Sequence, residues 1–354
     1  MNLGQVEKIA DAVLYEGYML YPYRISSIKN RQRWNFGVLY PPSYCERQTG
    51  SDASAMQTEC LFRTTPRAHL TVRVRFLQIV RRTIGKLRTI GREDPEGVEP
   101  DFKLVDRLEV AGRVYQPWQE AFEREVDYLS LHPASLSSLS NMKFMFPERR
   151  SFEFLRDERG DAVGVIVRKW ERLHGSVHFH AEKLREGIVK IRVRVQNDRV
   201  FDSLFPFELT DREAILHHSF ASAHTILGIE NGEFISLLDP PEGMKELVAQ
   251  CKNVGTWPVL ACEGMQTVLS SPIILYDFPQ IAPESAGNLF DSTEIDEILS
   301  LRILTLTEDE KREVRQSDDR AREILDRTEN MPEEQIMKLH GVLRGLTPFR
   351  EETR

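Results

Sequence analysis

The chain has 354 residues, 41% of them hydrophobic and 29% charged, with a formal net charge of −8. That length suits two domains, or one large domain with an appendage, and the composition is that of an ordinary globular chain. No run of eighteen apolar residues occurs, which excludes a helical membrane span, and the start MNLGQVEKIADAV lacks a signal-peptide pattern, so the expected location is the cytoplasm.

Charge is unevenly spread. Residues 281–354 hold 18 acids against 11 bases, whereas residues 60–92 hold nine Lys or Arg and no acid. Such asymmetry points to contacts, either with a partner or between the two segments. The four cysteines, Cys45, Cys60, Cys251 and Cys262, lie far apart without a CxxC, which suits reduced thiols better than a disulfide framework or a zinc ribbon.

In chain order, residues 5–20 predict a short amphipathic helix running into YEGYMLYPYR, where Gly17 and Pro22 break the period. From residue 57 the period becomes two. In HLTVRVRF, Leu70, Val72, Val74 and Phe76 face one way while Thr71, Arg73 and Arg75 face the other, as in a half-buried strand. RLEVAGRVYQPW predicts a hairpin turning at Ala111–Gly112, and SFEFLRDERGDAVGVIVRKW another turning at 158–161. SVHFHAEKLREGIVKIRVRVQND predicts a third, with Val189, Ile191, Val193 and Val195 inward and Lys190, Arg192 and Arg194 outward.

After residue 211 the pattern mixes. TDREAILHHSFASAHTIL reads as a helix or a helix–strand blend capped by Thr210, and GTWPVLAC and TVLSSPIILYDFP read as further strands. From 291 the pattern is helical, with a capping signal in Thr307 and Glu310 and a proline in the first turn of MPEEQIMKLHGVLR. The fold expected is therefore α+β and β-dominated: a mostly antiparallel, sandwich- or barrel-like body over residues 1–285, then an acidic helical segment over 286–354.

No GxSxG, P-loop or GxGxxG occurs, so hydrolase, nucleotide and dinucleotide readings lose their anchors. Histidines offer the alternative chemistry. His178 and His180 share one strand face, and with a third ligand such as His224 they could hold nickel, zinc or iron. Against this, the facing strand puts Lys190, Arg192 and Arg194 on that same surface. Basic and aromatic residues at 15–37 and 60–92 would also suit nucleic acid, but no RNA-binding or helix-turn-helix pattern supports it. Prolines around GTWPVL and SSPIILYDFPQ mark an edge or a bend, where another chain could dock or the loop could simply tie the tail down.

The segments IADAVLYEGYMLYPYRISSIKNRQRWNFGVLYP, MQTECL, GTWPVL and LSSPIILYDFPQIAPESAGNLFDSTEIDEIL together resemble a bacterial protein family encoded beside uptake nickel–iron hydrogenases and their maturation genes. The resemblance implies a cytoplasmic, non-enzymatic factor in hydrogenase assembly or maturation, chaperone-like, with a hydrogenase subunit or maturation protein as partner and no cofactor of its own. It carries over no catalytic residue.

Within the first of those segments, residues 13–20 read as core and YPYRISSIKNRQR as a cationic surface loop leading into a strand from Arg33. Two accounts of the loop stand side by side. Its basic residues could pair with the acidic tail of the same chain. Alternatively Tyr21, Tyr23, Arg24, Lys29, Arg31, Arg33 and Trp34 receive a partner protein, since aromatic residues and arginine dominate interface hot spots.

Overall fold

A computed structural model describes residues 3–17, 21–24, 27, 35–91, 99–136, 140–201, 211–280, 296–317 and 319–332. The chain divides into two units: residues 1–18 with 33–280, and residues 19–32 with 281–354. The expected boundary near 285 thus meets an addition, because the stretch 19–32 groups with the C-terminal segment and not with the body.

The body is built on one exceptionally long strand, β1 (Ala55–Gly91). The following strands are β2 (Phe102–Val105), β3 (Leu108–Val110), β4 (Arg113–Tyr115), β5 (Trp118–Leu131), β6 (Ser140–Phe146), β7 (Arg149–Arg156), β8 (Ala162–Trp170), β9 (Leu173–Arg185) and β10 (Ile188–Asn197). Then come β11 (Ala221–Ile235), β12 (Trp257–Leu260) and β13 (Thr267–Ser271). Helices are short: α1 (Leu3–Tyr15), α2 (Pro42–Cys45), α3 (Arg212–Leu216) and α4 (Lys245–Val248).

All pairings between named strands are antiparallel, and eleven strands form one sheet in which β12-β13-β11-β1-β10-β9-β6 is the main path. Residues 61–63 of β1 pair with both β10 and β11, so these two occupy opposite edges of it. By the same reasoning β5 and β2 continue the β10 edge, and β8 continues the β11 edge. One strand can serve five partners because it turns a corner. Thr65, Pro66, Arg67 and Ala68 stand opposite the single Asn231, a four-against-one bulge. Asn231 sits at φ 56° and is tied in place, since Thr65 Oγ1 donates to its carbonyl at 2.9 Å and its Nδ2 donates to the Arg67 carbonyl at 3.2 Å.

The corner lets the sheet fold over on itself. Phe76 of β1 meets Phe144 and Phe146 of β6, and Tyr128 of β5 meets Phe179 of β9, although these strands are not neighbours in the ladder. The core so formed includes Phe62, Leu70, Val72, Val74, Val177, Ile191, Val193 and Val195, the alternating apolar positions of the sequence. The sheet does not close into a barrel. Among the described residues β5 pairs only with β1 and β6 only with β9, which leaves a seam between β5 and β6. Helix α1 covers the other face, with Val6, Ile9, Ala10 and Val13 against Ile226, Val259, Ala261 and Leu269.

The predicted hairpins are present, including Ala111–Gly112 in the left-handed turn between β3 and β4. Two local expectations differ. Asp211, not Thr210, caps α3, its carboxylate accepting from the Glu213 N–H at 3.2 Å. TVLSSPIILYDFP is a strand only as far as Ser271, because Pro272 has no N–H to continue the ladder.

The second unit contains α5 (Asp296–Leu304), α6 (Glu308–Ser317) and α7 (Asp319–Glu329). Thr307 and Glu310 form the predicted capping box, with each accepting from the other's backbone N–H. Arg315 links α6 to Asp326 and Glu329 of α7, and Lys311 reaches Glu329 at 3.0 Å. MPEEQIMKLHGVLR lies outside the described residues beyond Pro332. No helix among the described residues is long and apolar enough to cross a membrane, and all four cysteines are free thiols.

Candidate functional site

The β9–β10 register places His178 opposite Arg194 and His180 opposite Arg192, so both histidines share the outer face with the predicted cations. Around His174, Ser176 and His178 this face forms a cleft of about 670 Å³, walled by Asn141, Lys143 and Met145 of β6 and by Gln196, Asp198 and Val200. Ser176 Oγ and His178 Nε2 are 3.2 Å apart. His180 stands outside the cleft, beside a structural knot. Buried Glu59 accepts from Arg192 Nε at 2.5 Å and from the Lys252 N–H at 2.8 Å.

His224 is elsewhere. It lies on β11, and the strand order puts β1 and β10 between it and β9. Among the described residues no three His, Cys, Asp or Glu side chains stand close enough to hold a metal ion. His224 instead lies opposite Arg75, and the neighbouring Ser222 Oγ bonds to the Val13 carbonyl of α1. It is fully buried, with Nδ1 2.9 Å from the Ser222 carbonyl oxygen and no partner for Nε2 among the described residues. Burial drives its pKa down to about 4, the Ser222 carbonyl opposes this, Arg75 adds to it and Asp11 opposes it. Cysteine chemistry is disfavoured by the same physics, since burial holds the Cys60 thiol well above its usual range and Cys251 up to about 11.

Part of the basic run is neutralised. Arg75, almost fully buried, meets Asp11 of α1 at 2.8 Å and Glu123 and Glu125 of β5. Arg73 meets Glu7 and Asp127, and Arg82 meets Glu120. These acids come from α1 and β5, remote in sequence, so part of the apparent patch is neutralised on folding, whereas Arg63, Arg67 and Arg81 stay exposed.

From the aromatic loop the structure describes Tyr21, Tyr23 and Arg24, while Lys29, Arg31, Arg33 and Trp34 lie outside the described residues. Arg24 pairs with Glu310 at 3.1 Å and approaches Glu313 at 3.9 Å. The Tyr21 hydroxyl donates to the Arg302 carbonyl, the Arg302 guanidinium lies over its ring, and Tyr23 is buried. These contacts, within the second unit, explain why 19–32 groups with the C-terminal helices.

The proline-marked segment behaves differently from a bare edge. Leu260 of β12 donates its N–H to Asp277 Oδ1 at 2.8 Å and accepts from the Phe278 N–H at 2.7 Å. Pro258 has no N–H to offer, so the outer edge of β12 is closed to an added strand. Asp277 Oδ2 also accepts from the Ser236 hydroxyl. The anchored segment nevertheless holds out its side chains: Tyr276 is 86% exposed, Ile274 72% and Trp257 45%. Nothing in the sequence alone distinguished a closed edge with presented side chains from an open one. No family model matches the chain, and no curated protein matches it.

Proposed function

We propose that the protein is a non-enzymatic accessory factor that works by protein–protein contact in the assembly or maturation of a nickel–iron hydrogenase. The class of partner comes from the resemblance of the quoted strings. The observation that supports a docking role is the surface carried by Trp257, Ile274 and Tyr276. Isolated exposed apolar side chains are normal on any protein. Here, however, the backbone beneath them is pinned by the two carboxylate oxygens of Asp277, so little conformational freedom remains to be lost on binding. Tyrosine and tryptophan are the residues that most often dominate such contacts.

The test is an affinity pull-down from the native host with the full chain and with Tyr276→Ala. Wild type should recover a hydrogenase subunit or maturation protein, and the variant should not. Because Tyr276 is almost fully exposed, its own stability should change by no more than about 0.5 kcal/mol. Recovery of no hydrogenase-related protein by the wild type would remove the reading.

A further inference from the structure

The acid–base matching of the sheet has a conspicuous exception. Arg124 of β5 lies opposite Phe76, so its side chain enters on the apolar face with Phe122, Val126 and Tyr128. Its flanking acids, Glu123 and Glu125, point to the other face and are engaged by Arg75. Among the described residues no carboxylate pairs with Arg124. Its Nε donates to Gln78 Oε1 at 2.8 Å, and its guanidinium lies 4.8 Å from the Phe146 ring, across the seam between β5 and β6. A half-buried charge with only neutral partners is costly, and burial lowers the Arg124 pKa, with Arg149 lowering it further.

Arg149, at the start of β7, is the second member. It is exposed, lies 4.2 Å from the Trp170 ring and makes no ion pair among the described residues. Trp170 packs edge-on against Phe122, two residues from Arg124 on the same face. The nearby acids are committed elsewhere: Glu148 approaches Arg172 at 3.5 Å, and Glu171 holds Lys169 at 2.6 Å. Contacts running from the Arg124 face of β5 through Phe122 and Trp170 thus link the two arginines, and among the described residues neither pairs with a carboxylate.

We propose that Arg124 and Arg149 form an oxyanion site at the mouth of the β5–β6 seam that takes the phosphate group of a small molecule. Guanidinium forks match phosphate oxygens bidentately, and a dianion would remove the repulsion that the two arginines otherwise sustain. This goes beyond the docking role and does not depend on it.

The test is calorimetric titration of the full chain with pyrophosphate at low ionic strength, for wild type, Arg124→Gln, Arg149→Gln and the exposed control Arg312→Gln in the second unit. Wild type and the control should bind saturably and equally. Each of the two site variants should bind about ten-fold more weakly or worse, the loss expected for one charged hydrogen bond. Arg149 is exposed, so its variant keeps the test valid even if Arg124→Gln folds poorly. Absence of saturable binding to wild type, wild-type affinity in Arg149→Gln, or an equal loss in the Arg312 control would each overturn the site.

Discussion

Replacing His224 by Gln isolates a single buried titration. The native pKa is about 4 against an ordinary 6.5, with burial the main cause. Between those values the unfolded chain binds the proton and the folded chain does not, so stability rises with pH across this window. The contribution is complete above pH 6.5 and is lost as pH falls toward 4. The full shift corresponds to about 3 kcal/mol, of which about 2 kcal/mol is lost by about pH 5. His218, also pushed down to about 4 chiefly by burial, titrates in the wild type as well. A difference between two proteins cancels this background. Urea unfolding of wild type and His224→Gln at about pH 7.5 and pH 5, followed by tryptophan fluorescence, supplies it, since Trp118, Trp170 and Trp257 all lie in the body. The stability advantage of wild type over the variant should shrink by about 2 kcal/mol at the lower pH. An advantage that is the same at both pH values would refute the assignment of a buried, neutral imidazole under α1.

Two further substitutions test the packing of the body. Glu59→Ala removes a buried carboxylate that accepts from the Lys252 N–H and pairs with Arg192; because Arg192 is part-exposed and can rehydrate, the expected loss is about 2 kcal/mol, read as a lower urea midpoint with unchanged slope. Gly232→Ala would put a Cβ 2.6 Å from the Arg63 carbonyl oxygen beside the β1 corner, so it should cost about 1–3 kcal/mol, whereas Gly50→Ala, which meets nothing within 4 Å, should be neutral within about 0.5 kcal/mol.

Local pattern carried much of the architecture. The period-two run from Leu70 to Phe76, the inward valines of β10 and the turn at Ala111–Gly112 are legible because side-chain alternation and left-handed turn residues are properties of adjacent positions. The Thr307–Glu310 box is equally local. The sequence could also place His178 and His180 on one cationic face, since that needs only the hairpin register.

Distant contacts were not legible in this way. That β1 runs unbroken for 37 residues and turns at Thr65–Ala68 depends on Asn231, more than 160 positions away, which no periodicity encodes. That Arg73, Arg75 and Arg82 of the nine-cation run meet acids was not legible, because those acids sit on α1 and β5. His224 stood as a ligand for the β9 pair until the strand order put two strands between them. Arg124 carries no mark in the sequence; only the strand register and the packing of β6 against β5 show it on the apolar face, with its sequence neighbours turned away. Pattern along the chain determines which face a residue takes, but which charges meet across that face is decided by the three-dimensional closure of the sheet.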